Sequence, residues 1–312
     1  MDSCTYNLGV RQLVITRIVK TGIVLTVAVL CMEIAVLAFP SVRWTVAWLT
    51  YGHRGQCNAA ETLRSSTYRK EWRRAHDQIL HSSRLVAHDG PLQLWDIPGM
   101  RQFWIRGTFD KMNAWAFAEQ AAGEYWHPDV HFRPGDIVLD VGADYGSVTF
   151  EALRAGARTV VAVEIAPEKW PCLERTFAQE IRDGRVVLVR AGVWDSEGRL
   201  ELGGDSVVID RASHKQKVRV TTIDRMVDEL QLPRVDFICM DIEGAEKPAL
   251  RGATKTLRKY RPRMAISSEH LPDDVTAIPQ TVRTMVPGYD VICGQCRMAN
   301  GQQLLAEVLW FK

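Results

Sequence analysis

Neither sign of charge dominates the 312 residues: 39 Lys and Arg stand against 37 Asp and Glu, a formal net charge of +2. So balanced a chain has no global electrostatic drive toward nucleic acid, and no basic groove or base-stacking pattern supplies a local one. No nucleic-acid partner is expected. Disorder and fibrous repeats are excluded too, since 46% hydrophobic and 24% charged residues are the proportions of a folded protein of one large or two modest domains. Cysteine is scarce and odd in number, seven in all, with two inside apolar runs. That is no secreted disulfide framework, and it reads as free thiols in a reducing compartment. The one close pair, Cys293 and Cys296, lacks the second CxxC and the nearby His that a tetrahedral zinc site needs.

One long apolar run is present. Residues 22–39 carry a single charge, Glu33, over 18 positions, about 27 Å as a helix against a bilayer core of about 30 Å. Arg17 and Lys20 precede it, Pro40 ends it, and Trp44, Trp48 and Tyr51 beyond suit a headgroup zone. A membrane anchor is expected, although Glu33 opposes insertion by a few kcal/mol, at about 2.5–3.5 on insertion scales. The alternatives are a signal peptide, disfavoured by the long leader before the run, and a helix that packs on the protein or dimerises. Charge sets no orientation, with Arg11, Arg17 and Lys20 before the run and Arg43 and Arg54 after it. The basic cluster Arg64, Arg69, Lys70, Arg73 and Arg74 reads as a solvated helix face, with anionic lipid as the alternative.

Three regions follow from the patterning: an anchor segment over residues 1–51, an accessory mixed region over 52–128, and a catalytic domain over 129–312. The accessory region is rich in Arg, His and Trp without a clear period, with a strand-turn signal at 92–107 and a helix expected over 115–125. From Pro134 onward short β-branched runs alternate with helical stretches, the signature of βα units. Strands are expected at 137–141, 159–163, 185–189, 235–240, 264–268, 289–292 and 307–311. Helices should begin near Gly146, Glu168, Ile223, Ala245 and Asp273. The Gly- and Asp-rich stretch 194–220 should add short strands at 200–202 and 218–222. The fold class is α/β: a Rossmann-like, mostly parallel sheet with helices on both faces and an N-terminal membrane-associated helix. In such a sheet ligands sit outside the carboxyl ends of the strands.

After the first of these strands comes Asp140-Val141-Gly142-Ala143-Asp144-Tyr145-Gly146. Its glycines allow close backbone approach, but the GxGxxG spacing of a pyrophosphate turn is missing, and Asp140 and Asp144 would repel phosphate. An acidic loop suits a cationic ligand. Glu164 closes the second strand, where a carboxylate can accept hydrogen bonds from both hydroxyls of a ribose. Residues 235–246, VDFICMDIEGAE, deliver Asp241 and Glu243 to the same rim.

With these pieces the chain resembles the FkbM family of S-adenosylmethionine-dependent O-methyltransferases. The resemblance runs through PGDIVLDVGADYGSVT (134–149), VVAVEIAPEKWPCLERT (160–176), VTTIDRM (220–226), VDFICMDIEGAEKPALRGA (235–253) and SEHLPDDVTAIP (268–279), and covers roughly residues 115–312. Tyr145 and Glu269 depart from the residues common at those places in the family. The resemblance implies a class I methyltransferase sheet and S-adenosyl-L-methionine as cofactor. It places Asp140 and Asp144 near the methionine end, Gly142 and Gly146 close beneath it, and Glu164 on the ribose. Asp195, or backbone at Ala191, faces the adenine. His270 is the first candidate for a general base, with Asp241 and Glu243 as cofactor-side or substrate-orienting carboxylates. Glu119 and Tyr125 either line the cleft or pack the core. No metal is expected; the alternative, a divalent cation on Asp241, Glu243 and His270, has no diagnostic ligand spacing. The function implied is methyl transfer to a hydroxyl of a small-molecule, glycan or lipid-linked acceptor, by an enzyme anchored in a membrane with its catalytic domain in the cytoplasm. The alternatives are a non-catalytic S-adenosylmethionine-binding scaffold and a nicotinamide-dependent oxidoreductase. Oligomeric state is not encoded.

Overall fold

The computed structural model describes residues 21, 23–35, 38–51, 57–201, 217–299 and 303–312. Its centre is a seven-stranded sheet ordered β12-β13-β11-β10-β4-β5-β6. The strands are β4 (Ile137–Val141), β5 (Thr159–Glu164), β6 (Val186–Arg190), β10 (Phe237–Met240), β11 (Arg263–Ser267), β12 (Val291–Ala299) and β13 (Gln303–Phe311). Five of them, β6-β5-β4-β10-β11, run parallel, while β13 returns antiparallel beside β11 and carries β12 at the edge. The chain order reverses between β4 and β10, so the crevice of this open sheet opens above their carboxyl ends.

The parallel strands are short apolar runs because both faces are covered. Every residue of β4 and of β10 is buried. Alternate side chains go to opposite faces: Leu139, Val141, Ile238, Met240 and Ile266 pack on one side, Val138, Cys239, Ala265 and Trp310 on the other. The first face is covered by α7 (Ile223–Glu229), α8 (Glu246–Arg251), α9 (Thr254–Tyr260) and α10 (Asp274–Met285), through Ile223, Leu250, Leu257 and Ile278. The second receives Tyr125, Val130 and α4 (Ser147–Arg154), through Val148 and Ala152.

The expected strands of the sheet are all present. β12 and β13 are longer than expected, because each extends beyond its apolar segment into polar residues that pair from Val291–Phe311 to Ala299–Gln303. The extra strands expected in 194–220 are β8 (Gly198–Glu201) and β9 (Lys217–Thr221), joined by β7 (Gly192–Val193) in a small separate sheet.

Before residue 130 the structure is more regular than its patterning. Beyond α1 (Pro40–Tyr51), residues without a clear apolar period form α2 (Ala59–Ser82), capped by the Asn58 side chain accepting from the Glu61 N–H. A three-stranded meander follows, β1 (Arg84–Asp89), β2 (Leu92–Asp96) and β3 (Gln102–Arg106), and then α3 (Lys111–Ala121), closed by an Asp110/Asn113 capping box. Ile79, Phe103, Ile105 and Phe117 bury together with Leu173 of α5 (Trp170–Thr176) and with Phe177, which joins it to α6 (Ala178–Arg182). Arg69 lies within the cluster expected to be a solvated face, yet it turns inward to pair with the buried Glu307 of β13.

Two expectations change. Among the described residues no helix is long and apolar enough to cross a membrane. Within the expected span, residues 23–35 and 38 are helical; residues 22, 36 and 37 lie outside the described set. The cysteines are not all free: Cys57, at the foot of α2, is bonded to Cys296 of β12. A partner 239 residues away is invisible to local spacing. Disulfides persist in oxidising compartments, so the reducing reading does not hold at this pair, and the cytoplasmic placement loses one of its supports.

Closing so long a loop restricts the unfolded chain, and Cys57→Ser should lower unfolding free energy by about 2–4 kcal/mol. Urea melts of both proteins, with alkylation before and after reduction, provide the check; Cys57 and Cys296 should label only after reduction.

Candidate functional site

The site begins where β4 and β10 end side by side. Gly142 has φ +94°, and a Cβ there would stand 1.9 Å from the Asp241 carbonyl oxygen, so only glycine lets the β4 loop lie against β10. The Gly142 and Ala143 N–H groups both donate to Val163 O at 3.0 Å, which ties the loop to β5 as well. Gly146, at φ +91°, starts α4 beneath the Phe177 ring, with no room for a side chain. Above these turns lies a cleft of about 500 Å³.

Carboxylates dominate its lining. Among the described residues, Glu119, Asp140, Asp144, Glu164, Glu168, Asp241, Glu243 and Glu269 face Lys169 and His270 as the only basic side chains. A ligand carrying positive charge fits this set, whereas a pyrophosphate would meet uncompensated repulsion.

Each acidic group is held differently. Glu164 accepts the Asp144 N–H on Oε2 and the Ala166 N–H on Oε1, both at 2.7 Å, which fixes its carboxylate and leaves one lone pair on each oxygen for a ligand. Asp140 is buried and accepts the Thr149 hydroxyl at 2.5 Å. Burial pushes its pKa up to about 7, helped by the charges of Glu164 and Asp144 against the Thr149 hydrogen bonds. Asp144 is paired with Lys169 at 2.5 Å, so its charge is largely met within the loop.

On the other side, Asp241, Glu243 and His270 come together as the sequence leads one to expect. Tyr125 donates to Asp241 Oδ2 at 2.7 Å, while Oδ1 is buried without a hydrogen-bond partner and lies 3.4 Å from His270 Nε2. Glu243 Oε2 is 3.5 Å from the same nitrogen. Glu246, fully buried at the start of α8, accepts the Ile242 N–H at 3.0 Å and faces His270 Nδ1 at 3.1 Å with the same oxygen. Burial disfavours the charged ring, but the Glu246 hydrogen bond and the charges of Asp241, Glu246 and Glu243 outweigh it and push the His270 pKa up to about 9.

The outer wall is built by α3 and the chain after it. Trp115 is 42% exposed at the cleft, stacks edge-on against Trp72 of α2, and donates its indole N–H to Glu119. Burial, then the charge of Asp241, holds the Glu119 carboxyl well above its ordinary range. Glu269, pushed up to about 7 by burial and the charge of Glu307, lies 3.5 Å from Arg297.

Of the cofactor residues expected from sequence, Asp140, Gly142, Asp144, Glu164 and Asp241 line the cleft, whereas Gly146 does not and packs against Phe177 and Leu173. Asp195 does not line it; its carboxylate pairs with Arg251 at 3.0 Å. The corresponding end is instead made by Ile165, Ala191, Gly192, Val193, Trp194 and Leu200. Lys169, Glu246 and Trp115 carry roles that sequence reasoning did not assign. Glu246 alone had a visible signal, as a third carboxylate in the DIEGAE run.

Residues 140–290 match the family model described as the methyltransferase FkbM domain. No curated protein matches the chain. Among solved structures, the methyltransferase FkbM of Methylobacillus flagellatus KT is similar at 18% identity and a TM-score of 0.45, over 81% of this chain. This chain spans 60% of that protein's length. Aeropyrum pernix fibrillarin, solved with S-adenosyl-L-methionine, is similar at 12% identity and a TM-score of 0.38, over 73% of this chain and 99% of its own. Precorrin-6y C5,15-methyltransferase from Geobacter metallireducens GS-15 gives 15%, a TM-score of 0.36, and coverages of 58% and 80%.

The contact at Gly142 can be tested by comparison with Gly90, which also has positive φ but has nothing within 4 Å of a built Cβ. Gly90→Ala should cost about 1 kcal/mol, and Gly142→Ala at least about twice that, because the Asp241 backbone must move. Thermal melts of the two variants decide it; equal losses would mean that the β4–β10 contact does not depend on glycine.

Proposed function

Because residues 140–290 constitute a methyltransferase FkbM domain, we propose that the protein transfers the methyl group of S-adenosylmethionine to a hydroxyl oxygen of a small-molecule, glycan or lipid-linked acceptor. The observation that carries this reading is the cleft's acidic lining: among the described residues, eight carboxyl groups against Lys169 and His270, at the sheet's switch point. The cofactor supplies a methyl group activated by a positively charged sulfur, with no phosphate to be neutralised. A nicotinamide dinucleotide would place its pyrophosphate against the same carboxylates.

The chain's own residues divide the work along the cleft. Glu164 offers its remaining lone pairs to the ribose hydroxyls, and the apolar slot of Ile165, Val193 and Leu200 takes the adenine. Asp140 and the backbone of the 142–146 loop face the amino-acid end. Asp241, Glu243 and His270 stand where the acceptor hydroxyl must come, and Trp115, Asn113 and Gln120 supply a ring face and amides to hold the rest of the acceptor. Holding that oxygen in line with the methyl carbon, about 3–3.5 Å away, supplies much of the rate.

The apolar stretch 22–39 belongs to the same reading. The described side chains of helix 23–35 leave Ile23, Val24, Leu25, Val27, Val29, Leu30, Met32 and Ile34 at 50–66% exposure, and a lipid surface would cover them and place the cleft near lipid-linked acceptors.

Calorimetric titration with S-adenosylmethionine, its demethylated product and NAD tests the cofactor. The first two should bind, Glu164→Ala should weaken both, and NAD should give no heat. Absence of binding by folded protein overturns the reading, and binding without turnover on any hydroxyl acceptor favours the scaffold. Asp140, faced by Glu164, Asp144 and Cys239, is largely neutral at pH 6 and ionised at pH 8. If only its ionised form holds the cation, affinity should tighten roughly tenfold across that window, more in wild type than in Asp140→Asn. For the apolar stretch, wild type should float with phosphatidylglycerol vesicles, and a variant with Leu25, Val29 and Met32 changed to Lys should stay in the dense fraction with cofactor binding intact. Wild type that remains dense, and runs as a dimer, would give the stretch to self-association.

A further inference from the structure

We propose that Asp241, Glu243 and His270 form a binding site for one divalent cation of the Mn²⁺ type at the acceptor end of the cleft. Their ligand atoms lie within 4.8 Å of one another, with His270 Nε2 at 3.4 Å from Asp241 Oδ1 and 3.5 Å from Glu243 Oε2. Donors on adjacent positions of an ion at about 2.1–2.2 Å stand about 3 Å apart, so His270 Nε2 needs to close on each carboxylate oxygen by only a few tenths of an ångström.

Two groups outside the triad orient it. Tyr125 takes one oxygen of Asp241 and leaves Oδ1, a buried carboxylate oxygen with no hydrogen-bond partner, facing the ring nitrogen. Glu246, with no exposure at all, holds His270 Nδ1 and turns the Nε2 edge of the ring toward Asp241 and Glu243, where a cation would take the place of the ring's second proton. A carboxylate behind a histidine in this way is the arrangement that orients metal-ligating imidazoles. The alternative grouping of Glu246, His270 and Asp274 is blocked, since Asp274 is paired with Lys247 at 2.9 Å and accepts the Leu271 N–H at 2.7 Å.

Two carboxylate oxygens and one imidazole nitrogen suit Mn²⁺ better than Mg²⁺, which prefers oxygen alone. The remaining coordination positions face the cleft, where the ion would hold the acceptor hydroxyl oxygen and make it more acidic. That role, though not the site itself, rests on the methyl-transfer reading.

The test is titration of metal-free, full-length protein with Mn²⁺, followed by calorimetry and by the electron paramagnetic resonance of the bound ion, with S-adenosylmethionine binding measured separately. One Mn²⁺ should bind per chain, with nitrogen coupling that disappears in His270→Ala. Glu243→Gln, on an exposed loop side chain, should weaken binding at least tenfold, and Glu246→Gln about tenfold through the ring it orients. No Mn²⁺ binding by protein that still binds S-adenosylmethionine overturns the site, as does binding indifferent to Glu243→Gln and His270→Ala. Mn²⁺ binding that follows the variants in protein that ignores S-adenosylmethionine upholds the site and removes the methyl-transfer reading instead.

Discussion

A side chain at Gly142 would collide with the Asp241 carbonyl, and the site depends on that bare backbone contact. Two parallel strands whose neighbours lie on opposite sides leave a gap where their loops diverge, and ligands enter such gaps. Here the gap has a floor because the β4 loop has no side chain at Gly142 and can lie directly against β10. That contact sets Asp140 and Glu164 on one side of the cleft and Asp241, with the loop leading to Glu243, on the other.

Gathering so many carboxylates in one crevice is electrostatically unfavourable, and the chain meets the cost group by group. Glu164 is given two backbone N–H donors, Asp144 a lysine, Asp241 a tyrosine and a histidine, and Glu246 a backbone N–H and the same histidine. Asp140 and Glu269, with less compensation, hold their protons up to near neutrality instead. What remains is negative charge that only a cationic ligand or a metal ion would neutralise, consistent with both proposals made for the cleft.

How far this was legible in sequence depends on the range of the interaction. β4, β5 and β10 were readable because strands buried on both faces must be continuous apolar runs, and their carboxyl ends then pointed to Asp140, Glu164 and Asp241. His270 could be placed one step past β11 by the same logic. Asp195 misled because a turn that suits a ligand also suits a surface ion pair, and Arg251 is 56 residues away. α2 escaped for a related reason. Its inward face is polar, with Ser65 accepting the Cys296 N–H and Arg69 reaching Glu307, so no apolar period announced it. The Cys57–Cys296 bond belongs to the same class of long-range pairing.

On the proposed reading, that hidden region bears on selectivity. The residues that match the methyltransferase domain begin at 140, yet Trp115, Glu119 and Gln120 on α3, and Tyr125 after it, form a wall of the same cleft. α3 is held in place by Trp72 of α2 against Trp115, and α2 in turn by Cys296, Arg69 and the Ser65 hydrogen bond to β12. This wall of the cleft is thus fixed by a chain of contacts running from the edge strand β12 through two helices that lie before the matched residues. If the cleft works as proposed, its N-terminal helices could change the acceptor while the cofactor chemistry is kept, because a substitution in α2 or α3 reshapes the wall without touching the contact of Gly142 with Asp241.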